Sequence, residues 1–185
     1  MIDEALELGE DAMKTARERF GRELGKVRAG RASPSLLDGI RVEAYGVKMN
    51  LREVASISAA DARLLIVKPF DANNIPAVER AIIQANIGLN PSSDGVVLRL
   101  PIPPLTEERR RQLVKQVGDL AEQAKVAIRQ ARREANDLLK DAEKSKDISE
   151  DDLKRGLEKV QELTNGYVKH IEDGAKKKEA EIMDD

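Results

Sequence analysis

A chain of 185 residues, 41% of them hydrophobic, is long enough for one or two packed domains. The absence of cysteine excludes a disulfide frame, a thiolate metal site and a thiol nucleophile. Charged residues reach 36%, yet 32 basic against 34 acidic side chains leave a net charge of only -2, so any case for a polyanionic partner depends on where the charge sits.

The start, Met1-Ile2-Asp3-Glu4, has neither a basic nor an apolar leader, and no apolar run is long enough to span a bilayer. The expectation is a soluble, cytoplasmic protein without a membrane partner. In the first segment Ile2, Leu6, Met13, Ala16, Phe20, Leu24 and Val27 recur at helical spacings. Gly9, Gly21 and Gly25 weaken that helix by roughly 0.5–1 kcal/mol each relative to Ala, so it needs partners from further along the chain.

From Ser35 to Pro101 the pattern becomes that of strands. Ile40, Val42 and Ala44 alternate, Val47, Met49 and Leu51 alternate after Gly46, and Leu64 to Val67 is a continuous apolar run. Pro76, at an N1 position, opens a short helix through Val78, Ala81, Ile82 and Ala85, which Gly88 and Pro91 end. Ser92 to Gly95 reads as a turn into a last strand, Val96 to Leu100. Between Leu36 and Leu105 there are seven basic and seven acidic residues, with no phosphate loop or metal-ligand cluster.

Thr106-Glu107-Glu108 opens a second helix, its acids facing the positive end of the helix dipole. Its apolar stripe, Leu113, Val117, Leu120, Ala124, Ala127, Ala131, Ala135 and Leu138, predicts a rod of roughly 55 Å. Ser149 opens a third helix, with Asp152 at N3 and an Ile148–Leu153 staple, and its stripe runs Leu153, Leu157, Val160, Leu163, Tyr167, Ile171. A lone amphipathic helix is marginal in water, so the first must pack on these two, which brings the crossings near Gly30 and Pro103-Pro104 side by side. The predicted architecture is α+β, with an elongated three-helix bundle from residues 1–29 and 106–185 carrying an inserted β/α/β domain at 31–104. The joint lies at 29–34 and 101–106, and spacing alone fits ordinary linkers as well as a functional hinge.

On a helical wheel Arg111, Lys115, Lys125, Arg129, Arg132, Arg133 and Lys140 share one sector of the second helix, while Asp119, Glu134, Asp137 and Asp141 share another. Thr106 to Lys140 carries nine basic and six acidic residues, a net of +3, and Asp141 to Asp185 nine and fourteen, a net of -5. A solvated face laced with i,i+4 pairs is the ordinary explanation. Against it, Glu134 and Asp137 point away from Arg129 and Arg132, leaving what reads as a row of unpaired guanidinium groups suited to phosphate. Two Tyr, two Phe and no Trp leave no platform for stacking bases, so recognition would be through the phosphates and shape of folded RNA. His170 has no partner cluster, and Gly30-Arg31-Ala32-Ser33-Pro34 lacks the spacing of a phosphate loop. No enzyme, cofactor, metal or small-molecule substrate is expected.

Several segments together carry a family resemblance. Lys26-Val27-Arg28-Ala29-Gly30-Arg31-Ala32-Ser33-Pro34-Ser35-Leu36-Leu37-Asp38-Gly39, Asn90-Pro91, Pro103-Pro104-Leu105-Thr106-Glu107-Glu108-Arg109-Arg110, Ala127-Ile128-Arg129-Gln130-Ala131-Arg132-Arg133-Glu134-Ala135-Asn136-Asp137 and Ile148-Ser149-Glu150-Asp151-Asp152 occur in an order that resembles the bacterial ribosome recycling factors. The pattern departs from theirs at Ala44, where an aromatic residue is frequent, and at Gln130-Ala131. The resemblance implies an L-shaped, tRNA-like molecule with a hinge, acting as a monomer that splits the post-termination ribosome together with elongation factor G and GTP. It implies large-subunit ribosomal RNA contacts through Arg110, Arg129 and Arg132, with Arg28 and Arg31 as lesser contributors, and the basic sector of the wheel adds Lys125 and Arg133 as candidates. It places the hinge at Ala29, Gly30, Ala32, Ser33 and Pro34 and at Pro103, Pro104 and Leu105, facing elongation factor G with the smaller domain. The competing reading is a helical adaptor that binds protein partners through the bundle seam or the small domain.

Overall fold

The structure, a computed structural model, describes residues 1–27 and 30–184. It divides into two compact units: one joins the N-terminal helix to everything from Glu107 onward, and the other is Gly30–Thr106.

The first unit consists of α1 (Ile2–Gly25) and two longer helices, labelled α4 (Glu107–Lys144) and α5 (Glu150–Met183) by their place in the chain. Helix α4 has 38 residues and is about 57 Å long. Gly9 near the start of α1 meets Ala135 near the end of α4, and Gly156 near the start of α5 meets Leu139, so α4 runs against both neighbours. Tyr167 reaches Glu10 at 3.3 Å and Gly174 lies under Phe20, which makes α1 and α5 parallel. Each helix pair thus closes over a glycine. A Cβ at Gly9 would lie 3.0 Å from that of Ala135, at Gly156 3.0 Å from Leu139 Cδ1, and at Gly174 3.3 Å from Phe20 Cε1. Gly9 is therefore buried and lets α4 approach closely, while Gly21 faces open space.

The buried stripe of α4 is Leu113, Val117, Ala121, Ala124, Ile128, Ala131, Ala135 and Leu139. It departs from the expected stripe at three places, where Ala121 replaces Leu120, Ile128 replaces Ala127 and Leu139 replaces Leu138, which is 46% exposed. One position corresponds to 100° of rotation, and neighbouring apolar residues at each of these sites left the choice to the packing. The start of α5 is as predicted: Ser149 Oγ accepts from Asp152 N–H at 3.0 Å, Asp152 accepts from Ser149 N–H at 3.3 Å, and Ile148 and Leu153 pack beside Ala5, Ala135, Leu139 and Val160.

In the second unit β1 (Arg41–Ala44) and β2 (Val47–Asn50) form a hairpin through Tyr45-Gly46, both at positive φ, 53° and 78°, as a two-residue primed turn requires. Leu51 does not extend β2. It opens a single helical turn, α2 (Leu51–Val54), steered by the Glu53 carboxylate accepting from Asn50 N–H at 3.1 Å. A four-stranded antiparallel sheet follows, in the order β3-β4-β6-β5. Its strands are β3 (Ala55–Asp61), β4 (Leu64–Pro69), β5 (Ser92–Ser93) and β6 (Leu98–Pro101). Helix α3 (Ile75–Gln84) packs its Val78 and Ile82 into the same core as Leu65, Val67, Leu98 and Leu100.

Two features differ from expectation here. Strand β3, written in small and polar residues, is fixed by its ladder to β4, which the pattern did not show. The last strand begins at Leu98 rather than Val96, because the N–H groups of Val96 and Val97 are both drawn to Asp94 Oδ1 at 2.9 Å and hold that stretch in a turn. Those two bonds keep the Asp94 carboxyl below the usual aspartate range, with Arg99 adding a smaller effect.

Candidate nucleic-acid interface

The core stripe of α4 leaves the basic sector on a face turned away from the bundle interior. Lys115 and Lys140 there are exposed. The arginine segment is helical because it supplies buried small or aliphatic residues at Ile128, Ala131 and Ala135, while Arg129, Arg132, Arg133 and Asn136 take the positions between.

The expected row of unpaired guanidinium groups is only partly present. Arg129 Nη1 lies 3.2 Å from Glu122 Oε1, a carboxylate seven residues back and so returned to the same face after two turns. Considering only Glu134 and Asp137 as partners missed it. Lys125 reaches across to Glu172 of α5 at 3.2 Å with its side chain only 20% exposed, so it also fastens two helices. Arg110 donates to the carbonyl oxygens of Ile182 at 3.3 Å and Met183 at 3.1 Å, placing a cation at the negative end of α5. Arg111 pairs with Glu107 at 3.2 Å.

Arg132 and Arg133 differ from these. Arg132 is half-buried and Arg133 exposed, and neither has a hydrogen bond or ion pair among the described residues. Beside them the Oδ1 of Asn136 is buried with no hydrogen-bond partner. A buried acceptor without a donor is costly, and Asn136 is held in this position by the packing of α4. The sequence signal for it was the position itself, one turn after Arg132 and Arg133.

At the joint, Arg28 and Ala29 lie outside the described residues. Gly30 has φ 76°, and a Cβ there would fall 2.6 Å from Leu105 Cγ, so the entering and leaving segments touch. Ala32 N–H donates to Ala62 O and Ile102 N–H donates to Arg63 O, each at 2.7 Å, which ties both segments to the turn between β3 and β4. Ser33 Oγ accepts from Ser35 N–H at 3.4 Å, capping the short turn Pro34–Leu37. Pro103 and Pro104 are exposed, Leu105 is half-buried, and Arg31 is exposed.

His170 is exposed on α5 and lines a groove with Glu10, Arg17 and Tyr167. Tyr167 has Arg17 5.2 Å above its ring. Burial, then the neighbouring Glu10 carboxylate, pushes its hydroxyl above the usual tyrosine range, so it stays a donor and seals the α1–α5 seam. Among the described residues no group of His, Asp or Glu could hold a metal ion, and no helix is long and apolar enough to cross a membrane.

The family profile of the ribosome recycling factor matches residues 20–183, which includes both crossings and the arginine face of α4. The chain belongs to the ribosome recycling factor family. It is 52% identical over 184 residues to the ribosome-recycling factor of Halalkalibacterium halodurans and 49% identical over 184 residues to that of Bacillus subtilis, covering 100% of this chain and of the relative in each case. The solution structure of a ribosome recycling factor superposes with a TM-score of 0.73 at 38% identity, covering 98% of this chain and 97% of that one. A second neighbour comes from models of the T. thermophilus ribosome recycling factor and the E. coli elongation factor G bound to the E. coli post-termination complex, with a TM-score of 0.64, 40% identity and 99% of both chains covered. The resemblance read from the motifs and the mixed helix-and-sheet fold class therefore hold.

Proposed function

We propose that the chain recycles ribosomes: with elongation factor G and GTP it splits the post-termination ribosome into subunits and frees it from mRNA for a new round of initiation. It acts in the cytoplasm as a monomer, catalyses no reaction of its own, and draws the energy of splitting from the partner GTPase. It grips large-subunit ribosomal RNA through the outer face of α4. The observation that carries the reading is Arg132 and Arg133, two consecutive arginines of α4 with no hydrogen bond or ion pair among the described residues, in a factor family whose T. thermophilus member occurs with elongation factor G on the post-termination complex. Arg129, Lys125 and Arg110 hold the bundle in shape and add positive potential to the same polymer, with Arg31 and Arg28 as outlying contributors. The paired crossings serve as the hinge, with Gly30, already at positive φ, able to take up backbone rotation beside stiff Pro103 and Pro104.

Arg132→Ala tests the grip. It should leave the helical circular dichroism unchanged while ribosome affinity falls by about tenfold or more at moderate salt, and the salt dependence should become shallower by about one contact. The measurement is co-sedimentation with purified ribosomes across a salt series. Unchanged affinity would remove α4 from the interface, and a parent chain that stays in the supernatant throughout would instead indicate an adaptor for protein partners. The hinge is tested by locking the two crossings with a designed disulfide, which should impair subunit splitting while sparing binding.

A further inference from the structure

The near-neutral total of the second unit conceals a segregation of charge. Of its seven acidic residues between Leu36 and Leu105, most are engaged locally. Asp38 pairs with Arg52 at 2.8 Å, and Asp94 accepts from two backbone N–H groups and pairs with Arg99 at 3.5 Å. Glu53, Asp61 and Asp71 each accept from a backbone N–H in a turn. The cations are distributed differently. Arg41, Lys48 and Arg80, three of the unit's eight basic residues, line one cleft of about 480 Å³ together with Glu43 and Gln84.

Secondary structure explains the convergence. Arg41 and Glu43 share the outward face of β1, Lys48 stands opposite Glu43 in the hairpin register, and Arg80 and Gln84 lie one turn apart on α3. Two alanines of α3 complete the wall, and their short side chains leave room between helix and hairpin. None of the three cations has a hydrogen bond or ion pair among the described residues, and Glu43, the only acid in the cleft, neutralises at most one of them.

We propose that this cleft of the second unit is a separate binding site for the phosphodiester backbone of folded RNA, held by Arg41, Lys48 and Arg80. Two guanidinium forks and one ammonium match phosphate oxygens, and a polar cleft without an aromatic wall reads charge and shape, not bases. The inference rests on the reading of the chain as an RNA-contacting recycling factor and adds a contact that the arginines of α4 do not supply. It explains why a unit with a net charge of only +1, eight basic against seven acidic residues, keeps three cations without partners among the described residues. Glu43 then acts as a brake, because a carboxylate beside phosphate costs affinity.

The test uses the full chain with three changes combined, R41Q/K48Q/R80Q, beside Arg132→Ala and Glu43→Gln. Binding is measured to ribosomes and to deproteinised large-subunit RNA across a salt series, with circular dichroism as the folding control. The triple variant should lose about tenfold or more in affinity for both, with the slope of log K against log salt shallower by about one for each cation removed. Glu43→Gln should bind a few-fold tighter, and it supports the proposal independently should the triple variant fold poorly. Parent-like binding by the triple variant alongside weakened Arg132→Ala overturns the cleft and leaves the α4 reading standing. Parent-like binding by both overturns both. Loss on ribosomes with none on bare RNA assigns the cleft to an acidic protein surface and overturns the proposal, as does Glu43→Gln binding no tighter than the parent.

Discussion

The two units achieve stability by opposite means. In the bundle, long periodic stripes rich in alanine pack with a glycine at each helix contact, and Gly9, Gly156 and Gly174 set how closely the helices approach. In the inserted unit a single cluster of larger side chains, among them Leu37, Leu51, Leu65, Ile82, Leu98 and Leu100, is assembled from segments far apart in sequence. The bundle core is thus built from one repeated local rule, whereas the sheet core exists only after β3, β4, β6 and β5 have found one another. Charge follows the same division. On α4 it lies along one helix face, while in the inserted unit it gathers in a cleft between a hairpin and a helix.

The contrast is tested most strongly at Leu65, which is fully buried in the sheet core. Leu65→Ala should cost about 2–5 kcal/mol and melt the second unit first, leaving most of the helical circular dichroism in place during denaturation. A single transition in which helix and sheet signals fall together would show that the units stabilise one another. Next comes Gly30→Ala, which sets a methyl group against Leu105 and forces a side chain into the left-handed region, at a cost of about 1–3 kcal/mol by thermal unfolding. Adding Leu105→Ala should restore only part of the loss, because the backbone strain remains.

Smaller effects belong to the helix ends. Ser149→Ala removes the acceptor for Asp152 N–H and should lower stability by about 1 kcal/mol. The Asp152 carboxyl is held below the usual aspartate value of 3.8, first by Arg155 and then by Ser149. Because the folded value is depressed, its contribution is present above pH 3.8 and is lost as the pH falls through the lower folded value. Asp94 behaves alike in the other unit, so acid titration should loosen the start of α5 and the turn before β6 over the same range, readable as parallel chemical-shift changes. The smallest effect is a gain: Gly21→Ala meets open space on α1 and should raise stability by about 0.4–1 kcal/mol. The same change at Gly9 should not, since Ala135 is already in contact.

Several features could be read directly from the residues. The capping box at Ser149, the helix through Val78 and Ile82, the two alternating stretches on either side of Gly46 and the three long helices all follow from local rules acting over a few residues. The stripe on α4 was legible in period but not in phase, because Leu120 and Ala121, Ala127 and Ile128, and Leu138 and Leu139 offer two adjacent apolar choices. Strand β3 was hidden because Ala55-Ser56-Ile57-Ser58 has little intrinsic pattern and becomes a strand through its ladder to β4. On α4, counting charge located the basic sector, and within it Arg132 and Arg133 have no hydrogen bond or ion pair among the described residues, whereas Arg129 does. The pairing of Arg129 with Glu122 was within reach of the same wheel had acids two turns away been counted, but Lys125 with Glu172 and Arg110 with the end of α5 join residues from different helices.

The sequence by itself determined where helices begin, which segments alternate and that the family pattern clusters at the crossings and along α4, since capping, periodicity and motif spacing are properties of neighbouring residues. Tertiary structure decided which of two adjacent residues enters the core, which cations are occupied by acids from another helix, and that Arg41, Lys48 and Arg80 share a cleft. Those outcomes depend on distances between residues remote along the chain, which packing fixes once the elements have come together.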